Sequence, residues 1–289
     1  MNLFGTCLLA ACQLWSLWTL WDKMTLIKAI KGDHRNQNLA VVVPFDERHL
    51  GDVQKMIGSS WKRFPPGRNS NNIYLYFYFS GDLARKPHVR KALEALDVPL
   101  EAFRKVCYIS ANLEEREDQY PAGTSLMFFR LFNHPMMQKM HAVMWMEPDV
   151  YPCRSGWLTH LYLQAFTGAS YWIKGSMQRA APDNDGFLAQ ADHINGNALY
   201  YRNSRAFYEF LDEVSEAFDK DARAFIESFD VAIWVVFRHN RSYAEYADLR
   251  SLYAYTDFIQ NYYVRSVNAT ELCARNQEAF LVHGRNVLF

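Results

Sequence analysis

No surplus of either charge sign, no CxxC pair, no internal repeat and no low-complexity tract marks this 289-residue chain. Lys plus Arg and Asp plus Glu both number 31, so there is no bulk basic field to draw in nucleic acid or an acidic membrane face, and specificity has to be local. Cys7, Cys12, Cys107, Cys153 and Cys273 are odd in number and lack metal-ligand spacing, which argues against a disulfide scaffold and a zinc cage and reads as mostly buried thiols. What the chain does have is apolar bulk. Half its residues are hydrophobic and 16 % are aromatic, enough for a sizeable core and unlike a disordered chain.

Leu3 to Trp21 carries no charge. At about 20 residues it is long enough to cross a bilayer, with Trp15, Trp18 and Trp21 at an interfacial end. We read residues 1–37 as an apolar anchor or signal segment with a short stem, and 38–289 as one catalytic domain. A single-pass membrane association in the Golgi or ER is expected. Lys23, Lys28 and Lys31 favour a cytosolic-facing domain by the positive-inside tendency, whereas the sequons Asn240-Arg241-Ser242 and Asn268-Ala269-Thr270 would be usable only in a lumen; the orientation stays open.

The run Leu39 to Val43, stopped by Pro44, predicts a strand buried on both faces. A helix over His49 to Trp61, a strand over Ile73 to Phe79, a helix over Val89 to Leu96 and a strand over Val106 to Ile109 follow. Then come a helix over Ser125 to Met140 and a strand over Ala142 to Met146. The second half predicts helices over Trp157 to Phe166, Ser204 to Phe218 and Phe229 to His239, with strands at Tyr171 to Ile173 and Asn197 to Tyr201. Strands alternating with helices give an α/β class with a mostly parallel sheet covered on both sides.

Glu147-Pro148-Asp149 follows an apolar strand, where ligands of open α/β sheets bind. Two carboxylates one residue apart suit a hard divalent ion such as Mn²⁺ or Mg²⁺, which commonly uses one or two of them together with substrate phosphates. The alternative is that Asp149 caps a turn and Glu147 is solvated.

The strand followed by Glu-x-Asp resembles the Asp-x-Asp motif of GT-A-type glycosyltransferases, with Glu in place of the first Asp and Pro148 between the carboxylates. Pro44-Phe45-Asp46-Glu47-Arg48 is similar to the nucleotide-contacting start of that family. Gly123-Thr124-Ser125 through Arg130 resembles the helix that leads into its metal strand, and His193-Ile194-Asn195-Gly196-Asn197 the segment lining its sugar and acceptor pocket. Val282-His283-Gly284 resembles the late His-Gly that adds a metal or diphosphate ligand. The resemblance covers about Leu39 to Gly284 and rests on the order of motifs that are individually unspecific.

It implies a GT-A (Rossmann-like) fold and transfer of a sugar from a UDP- or GDP-sugar to a glycan or glycoconjugate acceptor. It also implies a metal held by Glu147, Asp149 and His283, and nucleotide contacts from Pro44, Phe45, Asp46, Arg48, Arg130 and Glu147. Sugar or acceptor contacts fall to Trp172, Lys174, Gly175, Ser176, His193, Asn195, Gly196 and Asn197. Asp230, with Asp192 as runner-up, is the expected base for the acceptor hydroxyl; a helix N-cap is the plainer role for Asp230. The competing readings are a nucleotidyltransferase, disfavoured by the missing Gly-rich phosphate loop; a paired-carboxylate glycosidase; and an inactive membrane-tethered carbohydrate- or partner-binding protein of the same fold.

Overall fold

The computed structural model describes residues 36–68, 72–177, 193–202, 204–221, 228–239, 252–262, 266–284 and 286–288. The expected anchor Leu3 to Trp21, the sequon at Asn240 and Asp192 lie outside them. Among the described residues, no helix is long and apolar enough to cross a membrane.

Strand β1 (Asn38–Phe45) is buried from Leu39 onward because it pairs in parallel on both sides, with β2 (Asn72–Phe79) and with β4 (Ala142–Trp145). Burial on two faces is why the run reads as continuously apolar rather than alternating. Parity still sorts it. Leu39, Val41, Val43 and Phe45 enter one core layer, whereas Ala40 and Val42 enter the other, as the two-residue period of a strand requires. Pro44, which has no N–H to donate, is tolerated because the pairing with β4 has ended at Val42.

The first layer is covered by α1 (Leu50–Lys55), its π-helical continuation Met56–Trp61, α2 (Pro87–Glu94) and α4 (Trp157–Phe166), through Val53, Ile57, Trp61, Leu93, Leu158 and Leu161. The second is covered by α3 (Ala122–Phe132), α5 (Arg205–Asp221) and α6 (Phe229–His239), through Phe128, Leu131, Phe207, Phe210, Phe229 and Ile233. With β3 (Lys105–Ser110), β6 (Ile173–Gly175), β7 (Leu199–Tyr201) and β8 (Tyr253–Tyr255), the sheet order is β3-β2-β1-β4-β7-β6-β8, and only β7 runs antiparallel. The chain steps outward from β1 to β3 and then returns to β4. The carboxyl ends of β1 and β4 therefore flank the switch point where doubly wound sheets bind ligands.

Beyond that edge lies a second, three-stranded sheet: β5 (Val150–Pro152), β11 (Leu281–His283) and β9 (Ile259–Asn261), in the order β5-β11-β9. A two-residue pair, β10 (Val267–Asn268) with β12 (Val287–Leu288), and the helix α7 (Ala269–Arg275) complete the carboxyl-terminal part.

Three sequence expectations are corrected. The helix expected to reach Met140 ends at Phe132 and gives way to a 3-10 turn at Pro135–Met137, because proline disfavours helix at the residue before it. The strand expected at Tyr171 to Ile173 is shifted to Ile173–Gly175; Trp172 already joins the ladder, donating to the Leu252 carbonyl (2.7 Å) and accepting from Tyr201 N–H (2.9 Å), while its ring packs on Phe207 and Phe210. Cys153 and Cys273 are joined in a disulfide rather than being buried thiols. Their 120-residue separation leaves no spacing pattern, and only the approach of α7 to β5 brings them together. Cys107 is free and buried, as expected.

Candidate metal centre

Glu147 and Asp149 occupy a tight turn rather than a strand. Val150 N–H donates to the Glu147 carbonyl (3.0 Å), so Pro148 fills the second position of a β-turn, where its fixed φ is favoured. The proline that interrupts the Asp-x-Asp pattern is thus what turns both carboxylates back toward the sheet edge. The chain then enters β5, which pairs antiparallel with β11 in the register His283↔Val150, and Gly284 N–H donates to the Asp149 carbonyl (3.2 Å). This register delivers a residue 134 positions later to the turn.

His283 Nε2 lies 3.3 Å from Asp149 Oδ1 and 3.6 Å from Glu147 Oε2, and one ligand atom from each of the three residues falls within 4.8 Å of the others. On the far side of the ring, Nδ1 is 2.9 Å from Asn261 Oδ1. An amide oxygen only accepts, so Nδ1 carries the proton and Nε2 faces the carboxylates. Burial alone would lower the His283 pKa, but the charges of Asp149, Glu147 and Asp230 outweigh it and raise the imidazole above its ordinary value. Burial, then the neighbouring Asp149 charge, push the Glu147 carboxyl up, opposed by His283 and Asn197. Glu147, crowded by the Asp149 charge, together with Asp149 and one imidazole, is a donor set whose repulsion a divalent cation relieves. The residues fit Mn²⁺ or Mg²⁺.

A hydrogen-bond network fixes this turn to the strand beside it. Asn197 accepts from Glu147 N–H (2.7 Å) and donates through Nδ2 to Glu147 Oε2 (2.8 Å) and Asn195 Oδ1 (2.9 Å). Gly196 N–H donates to Asp230 Oδ2 (2.9 Å), and Tyr200 Oη donates to the Gly196 carbonyl (2.9 Å). A Cβ at Gly196 would come within 2.6 Å of Phe229 Cζ, and one at Gly175 within 2.5 Å of Ile194 Cγ2. Both glycines are therefore set by close packing rather than by direct ligand approach.

Asp230 is 8 % exposed. Besides Gly196 it accepts from Ser228 Oγ and lies 3.4 Å from His193 Nε2. Burial pushes its carboxyl up, yet the hydrogen bonds from His193, Ser228 and Gly196 outweigh it and hold it below the ordinary carboxylate range. Its carboxylate anchors the Asn195-Gly196-Asn197 turn through Gly196 N–H.

The other predicted residues divide. Phe45 closes β1 and packs on Phe79 (5.5 Å between ring centroids). Asp46 caps the turn Glu47–His49, accepting from His49 N–H (3.0 Å), His49 Nδ1 (2.8 Å) and the Arg48 guanidinium (2.5 Å). Burial raises its pKa, but these bonds win and hold the carboxyl far below the usual range. Asp46 and Arg48 stand at the carboxyl end of β1 as expected, paired with each other. Arg130 instead ties down the loop after β3, donating to the carbonyls of Ala111 (3.0 Å) and Asn112 (2.9 Å) and pairing with Glu117 (2.8 Å).

Trp172 is a core residue against α5. Lys174 donates to the Gln164 carbonyl (3.0 Å) over the Tyr171 ring, so its ammonium serves α4 and not a phosphate. Ser176 is buried and accepts through its carbonyl from Asn195 N–H (3.0 Å). Asn261, which orients His283, carried no sequence signal; Ser125 and Ser228 lie in stretches read for other residues, and the Ser125 hydroxyl oxygen accepts from Phe229 N–H (3.0 Å).

No protein-family model matches the chain, and no curated protein matches it. Solved structures do. The galactosyltransferase LgtC, crystallised with donor and acceptor sugar analogs, is 13 % identical, with 85 % of this chain and 86 % of that chain covered at a TM-score of 0.51. An active-site mutant of LgtC gives 14 % identity, 85 % and 86 % coverage and a TM-score of 0.50. Apo mouse xyloside xylosyltransferase 1 gives 12 %, 86 %, 97 % and 0.47. At such identities the likeness is one of fold: a mixed α/β domain with a mostly parallel central sheet flanked by helices, the GT-A fold.

Proposed function

We propose that the chain is a nucleotide-sugar-dependent, metal-assisted glycosyltransferase acting on a hydroxyl of a glycan or glycoconjugate. The observation that carries this reading is the convergence of Glu147 and Asp149 with His283, from segments far apart in the chain, at the sheet's switch point. Fold alone would not suffice, since one fold hosts many activities. These three side chains would hold a divalent ion such as Mn²⁺ or Mg²⁺, which would supply positive charge against the leaving diphosphate. Asp149 and Glu147 face that ion, and Asn261 holds His283 in the tautomer that presents Nε2. The nucleotide is assigned to the carboxyl end of β1, around Phe45 and Asp46. The turn Asn195-Gly196-Asn197 offers amides suited to sugar hydroxyls, which need both donors and acceptors, and Asp230 positions that turn.

A membrane-tethered, lumenal location in the Golgi or ER belongs to the same proposal. It is supported by the Cys153–Cys273 disulfide, a bond that persists in oxidising compartments, and by the sequon at the partly exposed Asn268.

The test is a thermal-shift and calorimetric screen of the chain against UDP, GDP, CMP and their sugars, with and without Mn²⁺. Stabilisation by one nucleotide that requires Mn²⁺ and disappears in Asp149→Ala is the expected result. Absence of nucleotide binding under every condition refutes the transferase reading in favour of a binding module of the same fold.

A further inference from the structure

His283 is carried by the small sheet β5-β11-β9 and not by the seven-stranded one. Its distance from Glu147 and Asp149 therefore depends on how firmly β11 is held against β5. β11 pairs with β9 on one edge, Leu281–Ile259 to His283–Asn261, and with β5 on the other through three residue pairs, and it is the second ladder that sets its approach to the turn bearing Glu147 and Asp149. Leu281 reaches the main core, but Val282 packs only in a small cluster with Cys153, Ala269, Cys273 and Ala279.

The ladder to β5 is fastened at the end away from the metal centre. From the turn outward, the links are Gly284 N–H to the Asp149 carbonyl, the pairs His283–Val150 to Leu281–Pro152, and Cys153 N–H to the Phe280 carbonyl (2.9 Å). Immediately beyond, Cys153 is bonded to Cys273 of α7. Arg154 caps the end of the same helix, donating to the carbonyls of Cys273, Asn276 (3.0 Å) and Gln277 (3.0 Å), with its guanidinium over the Phe280 ring (5.5 Å). The next strand after α7 is β11. Cystine and arginine thus fasten the element that leads directly into the strand bearing His283.

We propose that the Cys153–Cys273 cystine and Arg154 form a clasp that positions His283 against Glu147 and Asp149, so that divalent-cation affinity depends on the oxidation state of this cystine. The inference rests on the metal reading above and adds a redox dependence to it. Metal coordination tolerates errors of only about 0.2 Å in ligand distance, so fraying of β11 too slight to unfold the domain is enough to remove the third ligand. Linkage makes the coupling reciprocal: if reduction weakens cation binding by some factor, bound cation resists reduction by the same factor.

The experiment is a Mn²⁺ titration of the full chain, free aquo-ion being counted by electron paramagnetic resonance, before and after reduction. Two glutathione molecules supply the two electrons and two protons that convert the cystine to two thiols, and leave as glutathione disulfide. Circular dichroism monitors the fold. We expect Mn²⁺ affinity at least tenfold weaker in the reduced, still folded chain. We also expect the glutathione ratio at half-reduction to move by the same factor when Mn²⁺ saturates the oxidised form.

A clasp that is merely structural lowers the metal-free melting temperature without changing the affinity of the folded fraction; equal Mn²⁺ affinity in both redox states would overturn the proposal. Absence of Mn²⁺ binding in the oxidised chain overturns the metal reading and the clasp with it. Should reduction unfold the chain, Arg154→Ala with the cystine intact is the second probe. Affinity at least threefold weaker supports the clasp, and wild-type affinity overturns it.

Discussion

Asp230 gives the sharpest test of how the site is built, because anchor and base make opposite predictions for one substitution. Asp230→Ala removes a buried carboxylate that accepts from Gly196 N–H and Ser228 Oγ and pairs with His193. Leaving buried partners of an ion pair unsatisfied costs about 3–5 kcal/mol. Asp230→Asn keeps an oxygen for Gly196 and loses mainly the charge, at about 1–2 kcal/mol. For a domain of this size each kcal/mol moves the melting temperature by about 2–4 °C, so the expected losses are on the order of 10 °C for Ala and about 4 °C for Asn.

The pH dependence has a definite sign. The folded pKa of Asp230 is depressed, so its contribution is present above the unfolded value of about 4 and is lost as pH falls through the folded one. The gap between wild type and Asp230→Asn should stay constant from pH 7 to about 5 and close below about 4. Thermal melts in the absence of ligand measure all of this. A variant with wild-type melting temperature whose only defect is a hundredfold fall in kcat would refute the anchor and restore the base.

Four further expectations follow from the same geometry. Asp149→Ala and His283→Ala should each abolish the stabilisation that saturating Mn²⁺ gives, about 2.7 kcal/mol at a hundredfold excess over Kd, as read by thermal shift. Asn197→Ala, which unhooks the Glu147 backbone and side chain, should cost about 1–3 kcal/mol and weaken Mn²⁺ by about 10–100-fold in calorimetry; unchanged affinity would show that Glu147 needs no support. Gly196→Ala drives a methyl into Phe229 and should destabilise by about 1–3 kcal/mol in denaturant melts. Lys174→Met should leave nucleotide binding unchanged, because the ammonium serves the Gln164 carbonyl; a loss of nucleotide affinity would return Lys174 to the site.

Much of the layout was legible in the chain itself. The apolar run of β1 announced a strand buried on two faces, and the alternation of strands and helices announced the layered sheet. Glu147 and Asp149 were found because a carboxylate pair at the end of an apolar strand is a local pattern. Local patterns are what sequence displays: periodicity, turn residues and capping act within a few positions.

Whatever depends on contacts between distant segments was decided by tertiary structure alone. The register of β11 on β5 brought the separate motif at His283 beside Glu147 and Asp149. Packing against α4 and α5 withdrew Lys174 and Trp172 from the site. Asp230, expected as a base from the family resemblance, is held by Gly196, Ser228 and His193. The Cys153–Cys273 bond spans 120 residues, and Asn261 lies in a stretch without periodic signal. The physical reason is common to all of these. Charge state and ligand competence come from burial and from partners brought in by the fold, and a side chain's sequence neighbours do not encode them.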